Sequence, residues 1–531
     1  MAMSDRRVTP TSRARRRHPA RGRRAPNTLP GRLAPPGPAA LADLERAVAA
    51  VTARRLRRAV RALETPAARR GRGRRPGRGL PAALAALAAE GRAVLAGLPA
   101  PARRRALCGP DLRGFLSEAE TWIDVLRLAA PAGPDAVSLF ERISRTEHLL
   151  TLVPAGRLDA AFPARARAFA LDRLAALASD LGALLLGLRL AGTASPRPLS
   201  VALMFRESAE QGRPAHRIDL GTFAGPAGAL GLRAGAAPGG HAGPGLRARV
   251  ERGLLTLRLP GRPAVLIPAA GSPLASPHPI LARRRFIPGS TMLLAPALRP
   301  GPRRMGVGRD LPGLADRLAR ALRLLRLAWP EAHHDVVART VMVVPVREPG
   351  LVSYSLAARP GISFINVHGK RTVQLADDLL HENAHHLLHD LQETIRLLAP
   401  GPATEEVQAF ASPWRGTLRP LHGILHGTFT FLFRAELFAR ILDMHTRRPR
   451  VVAPLLGPGG AVFVRRELRR ELAMLERGLA DLGTAAAHHL LTPAGRELAA
   501  ALRAWHRRLR RPAVARSRSR AAPRWRVQSR W

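Results

Sequence analysis

The segment "DDLLHENAHHLLHD", residues 377–390, combines a helical apolar pattern with a His-Glu-x-x-His motif. Leucines recur at three- and four-residue spacings through and beyond it, until Pro-Gly-Pro at 400–402 interrupts the pattern. This spacing predicts a helix from Val373 to about Leu398. Two histidines four residues apart differ by about 400° of rotation, so their imidazole rings share one helix face. We therefore expect His381 and His385 to bind one metal ion.

Apolar segments with a shorter period precede this helix. The segments TVMVVPV (340–346), LVSYSL (351–356) and ISFINVHG (362–369) are typical of strands, and LLTLRLPGRPAVLIP (254–268) is typical of a hairpin. Upstream, leucine and alanine recur at helical spacing from about 38 to 190. This order predicts an α+β fold, in which a helical N-terminal region is followed by a mixed β-sheet and a helical metal-binding core.

The chain divides into five predicted parts. Residues 1–36 form an Arg/Pro-rich arm that is expected to be disordered, because it offers few apolar side chains to bury. A helical region (37–192), which includes the amphipathic segment FLSEAETWIDVLRLAA (115–130), precedes an α+β catalytic domain (193–460). That domain holds the His-Glu helix and a second apolar helix, LHGILHGTFTFLFRAELFARIL (421–442). A helical segment (461–510) and a basic tail (511–531) follow.

The charge of the chain is strongly positive, since 86 Lys and Arg residues against 38 Asp and Glu residues give +48. Lys370 is the only lysine, so the other 85 (86 − 1) are arginine. This bias is typical of a GC-rich genome, and we do not expect nucleic acid as a partner despite the charge. Cys108 is the only cysteine, which excludes an internal disulfide. The most apolar stretch contains four charged residues and the N-terminus has no secretory pattern, so we expect a cytoplasmic protein without a membrane span.

A third metal ligand is expected from a separate element. His422 and His426 lie four residues apart on the second apolar helix, and His426 is favoured because a glycine beside it permits close packing against the first helix. On the first helix, His386 is rotated by about 100° from His385 and is expected to have a structural role or to support the ligands without binding the metal ion itself. His389 is expected not to be a ligand, because an ion held by residues i and i+4 rarely reaches residue i+8.

One class of enzyme that fits this motif is the zinc metallopeptidases, in which Glu382 would act as the general base on a metal-bound water. The metzincin subclass is excluded, because Leu388 and Leu391 occupy the positions of its Gly and its third His. Other zinc peptidases take a carboxylate about twenty residues further on as a ligand. Glu405 and Glu406 lie at about that distance and remain candidates.

A larger pattern surrounds the motif. The segment PGISFINVHGKRTVQLADDLLHENAHHLL (360–388), followed by SPWRGTLRP (412–420) and GILHGTFTFL (423–432), resembles the HExxH-domain peptide-modification family. Members of this family are described as α-ketoglutarate-dependent peptide β-hydroxylases that modify ribosomally made peptides. The resemblance covers about residues 330–445. It implies an iron(II) site with His381, His385 and His426 as ligands, in which Glu382 orients the metal environment.

The resemblance also implies a binding site for α-ketoglutarate. A carboxylate of this kind is best held by a bidentate arginine, and Arg415 and Arg419 lie between the two histidine-bearing helices in sequence. Trp414 is a candidate for the wall of the same pocket. The resemblance therefore implies an iron(II)/α-ketoglutarate-dependent peptide β-hydroxylase, and the His-Glu-x-x-His motif leaves a zinc metallopeptidase as the alternative.

Overall fold

The structure is a computed structural model. It describes residues 38–68, 80–128 and 311–511, the last range without residue 358, and shorter pieces between 161 and 307. The arm predicted at 1–36 and all but the first residue of the tail predicted at 511–531 lie outside the described residues.

The described residues of the N-terminal region include four helices with complete bounds, and further helical residues follow from 162 onward. The four helices are α1 (Pro38–Ala68), α2 (Leu80–Ala96), α3 (Ala100–Cys108) and α4 (Pro110–Leu128). A proline near the start of α3, where the first N–H groups have no helical partner anyway, is compatible with that helix. The helix predicted at 115–130 is confirmed as part of α4, and its Trp122 is buried.

Among the residues described between 199 and 294, ten short strands follow, and they enter three sheets. The predicted hairpin at 254–268 is confirmed, because Leu255 pairs with Ile267 in an antiparallel ladder. The strands are β1 (Leu199–Leu203), β2 (Arg206–Glu210), β3 (Arg213–Asp219), β4 (Gly231–Ala234), β5 (Leu246–Glu251), β6 (Leu254–Arg258), β7 (Val265–Pro268), β8 (Leu281–Ala282), β9 (Arg285–Phe286) and β10 (Leu293–Leu294).

The central sheet is mixed, with strand order β12-β13-β11-β10-β9. Its middle strands β11 (Met342–Val346) and β13 (Ile362–Asn366) are parallel and wholly buried, whereas the edge strand β12 (Tyr354–Ser355) is antiparallel to β13. Helices α5 (Leu314–Ala328) and α6 (Pro330–Arg339) connect the parallel strands β10 and β11, as a parallel crossover requires. The predicted α+β class is confirmed.

The two predicted histidine-bearing helices are α7 (Thr372–Thr394) and, after α8 (Pro402–Glu405), β14 (Phe410–Ala411) and β15 (Leu418–Arg419), α9 (Leu421–Arg447). The predicted end of the first helix at Leu398 was four residues too late, because Ile395 is already extended. The chain continues with α10 (Pro449–Leu456), α11 (Gly460–Ala487) and α12 (Pro493–Arg510).

Helix α7 lies against the central sheet, and α9 packs on α7 as well as on α11 and α12. One apolar cluster joins these elements, and at its centre Phe433 of α9 lies between Trp329 and Trp505. The segment predicted as a separate helical part at 461–510 therefore packs directly on the helix that carries His426. Within the described residues, none of the helices has the length and apolar character needed to cross a membrane.

Candidate metal centre

Three histidines form a stripe along α7. His381, His385 and His389 are spaced by four residues, and each is half-buried. The His385 ring lies in the middle of the stripe, with its centroid 5.0 Å from that of His381 and 6.3 Å from that of His389. The helical periodicity therefore places all three rings on one face, as the spacing predicts for the first two.

Helix α9 supplies a fourth histidine to this face. The Nδ1 atoms of His426 and His385 are 3.3 Å apart, and the His426 ring centroid lies 5.1 Å from that of His389. The candidate ligand atoms of His385, His389 and His426 all lie within 4.8 Å of one another. Two nitrogens that bind one ion at about 2.1 Å are separated by roughly 3.0–3.4 Å, so the His385–His426 spacing matches a shared ion.

The cluster differs from the predicted set of ligands in its third member. His385 and His426 come together as predicted, but His389 joins them, although it was expected not to be a ligand, and His381 lies outside the group. The His381 ring instead contacts Phe431, at a centroid distance of 4.7 Å. The physical reason is the register of the two helices: His426 of α9 lies beside His385 and His389, whereas the α9 residue that lies beside His381 is Phe431.

Sequence reasoning also missed Gln392, which lies one turn beyond His389. Its Oε1 atom is 3.0 Å from Nε2 of His426 and accepts that N–H. This contact leaves the lone pair of His426 on Nδ1, the atom that faces His385. Ligand histidines commonly donate their other N–H in this way, which orients the ring toward the metal. The only hint in the sequence is the spacing of Gln392 from His385 and His389, and it has meaning only once α9 is in place.

The protonation states of these histidines suit a metal ion. Burial is the main cause that lowers the pKa of His385 to about 3 and that of His389 to about 4, and it lowers the pKa of His426 well below its usual value. Neighbouring histidines act in the same direction on His385 and His426. The three rings are thus neutral at physiological pH and can bind a cation without first losing a proton.

Glu382 is buried and does not belong to the histidine cluster. It interacts with the side chain of Ser355 on the edge strand β12, whereas its Oε2 atom has no hydrogen-bond partner among the described residues. Burial raises the pKa of Glu382 to about 8, the charge of Asp378 adds to this rise, and the Ser355 hydrogen bond opposes it. The carboxyl group is therefore mostly protonated at neutral pH, and no carboxylate belongs to the histidine group among the described residues.

Trp414 packs the loop between β14 and β15 against the neighbouring helices. Trp414 stacks on Phe431 with ring centroids 4.7 Å apart, and its Nε1 donates to Glu471 of α11 at 3.1 Å. Two glycines face it: a Cβ on Gly427 would lie 2.9 Å, and one on Gly478 would lie 3.0 Å, from Trp414 ring carbons. Trp414 thus anchors the loop in the crossing of α9 and α11, and it contacts the ring that covers His381.

The two predicted carboxylate-binding arginines lie on this loop. Both side chains are exposed. The pKa of His385 is lowered by burial and neighbouring histidines, and that of His381 by burial, by His385 and by the charges of Arg434 and Lys370. The charge of Arg415 makes a smaller contribution to both. Arg419 acts in the same way on His422, after burial and the opposing charge of Glu405. Arg415 thus contributes to the electrostatic environment of both motif histidines, whereas Arg419 packs on the first turn of α9, where a Cβ on Gly423 would lie 3.3 Å from its Nε atom.

The remaining predicted residues have these positions. His422 is exposed and its ring lies 4.1 Å from that of His426. Glu405 and Glu406 are exposed and neither belongs to the histidine group. The structural role predicted for His386 is confirmed: its Nδ1 accepts the N–H of Gly361 at 3.1 Å, and its Nε2 lies 3.0 Å from the Ser363 hydroxyl.

A comparison with protein-family models and a comparison with curated proteins each returned no match for this chain.

Proposed function

We propose that this protein is an iron(II)/α-ketoglutarate-dependent peptide β-hydroxylase whose metal ion is held by His385, His389 and His426. The observation that carries the proposal is the convergence of three neutral imidazoles from two helices, with a 3.3 Å spacing between Nδ1 of His385 and Nδ1 of His426. Three histidines occupy only part of the coordination sphere of iron(II), and the open positions would be available to a co-substrate and to oxygen.

When bound, iron(II) would supply the redox chemistry that couples oxygen and α-ketoglutarate to hydroxylation of a peptide side chain. The residues of this chain would bind and orient. Gln392 fixes the His426 ring through its Nε2–H. Arg415 would bind a carboxylate of the co-substrate, because its charge already acts on His385 and its side chain is exposed. Trp414 would hold the loop that carries Arg415 against α9 and α11.

The position of Glu382 supports an oxygenase over a peptidase. A zinc peptidase needs a carboxylate beside the metal-bound water as its general base. Glu382 is buried and interacts with Ser355 of β12, and it is not a member of the histidine cluster. In an oxygenase its task would be structural, because it ties the metal-bearing helix to the edge of the central sheet.

The zinc metallopeptidase is the second candidate, and one observation favours it. The pKa of Glu382 is raised to about 8 by burial, and a carboxyl group that titrates near neutral pH is suited to proton transfer. Under this alternative His381 and His385 would be the motif ligands, and Glu382 would have to turn away from Ser355.

The two candidates consume different co-substrates, and this difference provides the test. We would purify the full chain anaerobically, load it with iron(II) or zinc(II), and supply α-ketoglutarate, ascorbate, oxygen and a synthetic library of short peptides. The iron-loaded protein is expected to form succinate and to add the mass of one oxygen atom to uncut peptides, and His385→Ala is expected to abolish both. Peptide cleavage by the zinc form, without succinate from the iron form, would establish the peptidase instead.

A further inference from the structure

A second row of polar residues runs along α7, away from the histidines. Asn383, His386, Asp390 and Glu393 recur at three- and four-residue spacings, and their mean direction is rotated by about 120° from the histidine stripe. In contrast to the usual exposed polar face of a helix, Asn383 is 0% and Asp390 is 6% exposed. Polar groups enclosed to this degree need specific partners.

The partners of Asp390 come from two different helices. Arg113 of α4 donates from Nη1 to Oδ1 at 2.6 Å, and Arg339 of α6 donates from Nη1 to Oδ2. Arg113 is itself only 3% exposed, and it is 277 residues away from Asp390 in sequence. Both oxygens of the Asp390 carboxylate, directly after His389, therefore accept hydrogen bonds. One bond comes from the N-terminal region and the other from the crossover between β10 and β11.

The same contact continues into a larger network. Nη2 of Arg113 lies 2.9 Å from Glu393, which also pairs with Arg55 of α1 at 3.4 Å. On the other side, Arg339 donates to Asp335 at 3.1 Å, and Asp335 accepts a 2.7 Å hydrogen bond from Asn383. Three arginines (Arg55, Arg113 and Arg339) are thus linked to the carboxylates Asp335, Asp390 and Glu393 and, through Arg55, to Glu120 of α4, and α7 is attached at both ends of one face.

We propose that Arg113 is a positioning residue for the metal site: by holding Asp390 it sets the rotation of α7 that directs His385 and His389 toward His426. The inference rests on the metal site proposed above. It makes the N-terminal helices part of the metal centre rather than a separate unit beside it.

Small rotations of α7 are enough to matter. An imidazole nitrogen lies about 6 Å from the helix axis, so a rotation of about 10° displaces it by roughly 1 Å. Metal–ligand distances in a well-formed site vary by only about 0.2 Å. Without Arg113, the enclosed charge of Asp390 would be balanced by Arg339 alone, and the helix would turn to bring Asp390 closer to α6 or to water.

The test uses cobalt(II) as the probe and the full-length chain. Cobalt(II) affinity and the visible absorption of the bound ion are measured for the wild type and for Arg113→Met, together with the melting temperature. We expect Arg113→Met to weaken cobalt(II) binding by about tenfold or more and to change the absorption bands. Replacement of residues that support metal ligands commonly has an effect of this size. Asp390→Asn is expected to have the same effect.

Two control variants separate positioning from general stability. Arg46→Met removes an arginine of α1 whose pair with Asp43 is exposed, and it should change neither cobalt(II) affinity nor the spectrum. Arg508→Met removes a partly buried ion pair between α12 and Glu436, so it should lower the melting temperature without altering the spectrum. Arg113→Lys keeps the charge but has a single donor group, and it should restore part of the affinity, which also guards against a poorly folded methionine variant.

The outcomes are distinct. The inference is wrong if Arg113→Met binds cobalt(II) with wild-type affinity and spectrum, or if Arg508→Met weakens binding as strongly as Arg113→Met does. If the wild type binds no cobalt(II), the metal site itself is wrong and this inference falls with it. If cobalt(II) binds as expected but the iron form makes no succinate, only the proposed chemistry is affected.

Discussion

His389 and His381 are the two candidates for the third metal ligand beside His385 and His426. Single substitutions distinguish between them. We expect His385→Ala, His426→Ala and His389→Ala each to lower zinc affinity by about 100-fold or more, because each removes a direct bond to the ion. His381→Ala should lower it by less than about fivefold. Zinc competition with a chromophoric chelator provides the measurement. A strong loss for His381→Ala with little loss for His389→Ala would return the assignment to the His-Glu-x-x-His pair.

The sequence alone predicts part of this site. The remaining part depends on contacts between α7 and α9, whose residues are distant in sequence. Local periodicity places His381, His385 and His389 on one face, and the second histidine helix is visible as an apolar pattern. The choice between His381 and His389 depends on where α9 crosses α7, which no local pattern encodes. Gln392 is recognised only after its contact with His426 is known.

At the scale of elements, the crossing of α9 and α11 depends on glycines that make room for Trp414. Gly427→Ala would place a methyl group 2.9 Å from the Trp414 ring, so the ring and its loop must move. We expect a loss of about 1–3 kcal/mol in unfolding free energy, as is usual for overpacking. Cobalt(II) affinity should be nearly unchanged, but the α-ketoglutarate concentration for half-maximal succinate formation should rise by about fivefold or more, because Arg415 moves with the loop.

Gly483 provides the matched control on α11. A Cβ there would meet only the end of the flexible Arg503 side chain, at 2.9 Å, and alanine is favoured over glycine inside a helix. Gly483→Ala should therefore be neutral or slightly stabilising, by up to about 1 kcal/mol. Equal behaviour of the two alanine variants in thermal unfolding and in α-ketoglutarate dependence would contradict the role given to Trp414.

Some helices and strands could be predicted from the sequence, and others could not. The strands β11 and β13 and the helices α4, α7 and α9 agree with the sequence patterns, because their apolar spacing is regular. Helices α5 and α6 were not predicted, although LADRLARALRLLRLA (314–328) buries Leu314, Leu318, Ala321, Leu322 and Leu325 at helical spacing. The strand patterns on either side drew the interpretation of this region toward a sheet, and the parallel pairing of β10 with β11 shows why a helical crossover is needed there.

For the whole molecule, the net charge of +48 does not show which arginines form ion pairs inside the fold. Several of them are enclosed and paired with carboxylates that are distant in sequence, as Arg113 is with Asp390 and Arg434 of α9 is with Asp377 and Glu471. Composition predicts the surplus of charge but not these pairs. The arginines that join α7 to the N-terminal helices and α9 to α11 thus contribute to the fold as well as to the surface.

Glu436 shows how such a pair depends on pH. It is buried on α9 and accepts hydrogen bonds from Arg440 at 2.7 Å, from Arg508 of α12 at 2.9 Å and from Nε1 of Trp505 at 2.7 Å. Burial alone would raise the pKa of Glu436, but the two guanidinium groups and the Trp505 hydrogen bond outweigh it, and the pKa lies below its ordinary value. A carboxyl group whose pKa is lower in the folded state stabilises the fold above its unfolded pKa and loses this contribution as the pH falls through the folded pKa.

Glu436→Gln is therefore expected to destabilise the protein at pH 7 by about 1–3 kcal/mol, the range for hydrogen bonds to enclosed charged groups. Below about pH 4, near the ordinary pKa of glutamate, the difference between the variant and the wild type should shrink, because the wild-type carboxylate becomes protonated as well. Thermal unfolding from pH 7 to pH 3 measures both effects. Glu476→Gln is the control, since its ion pair with Arg510 is exposed and should contribute at most about 1 kcal/mol at any pH. A Glu436→Gln deficit that stays constant down to pH 3 would show that packing around Trp505, rather than the charge of Glu436, holds α12 against α9.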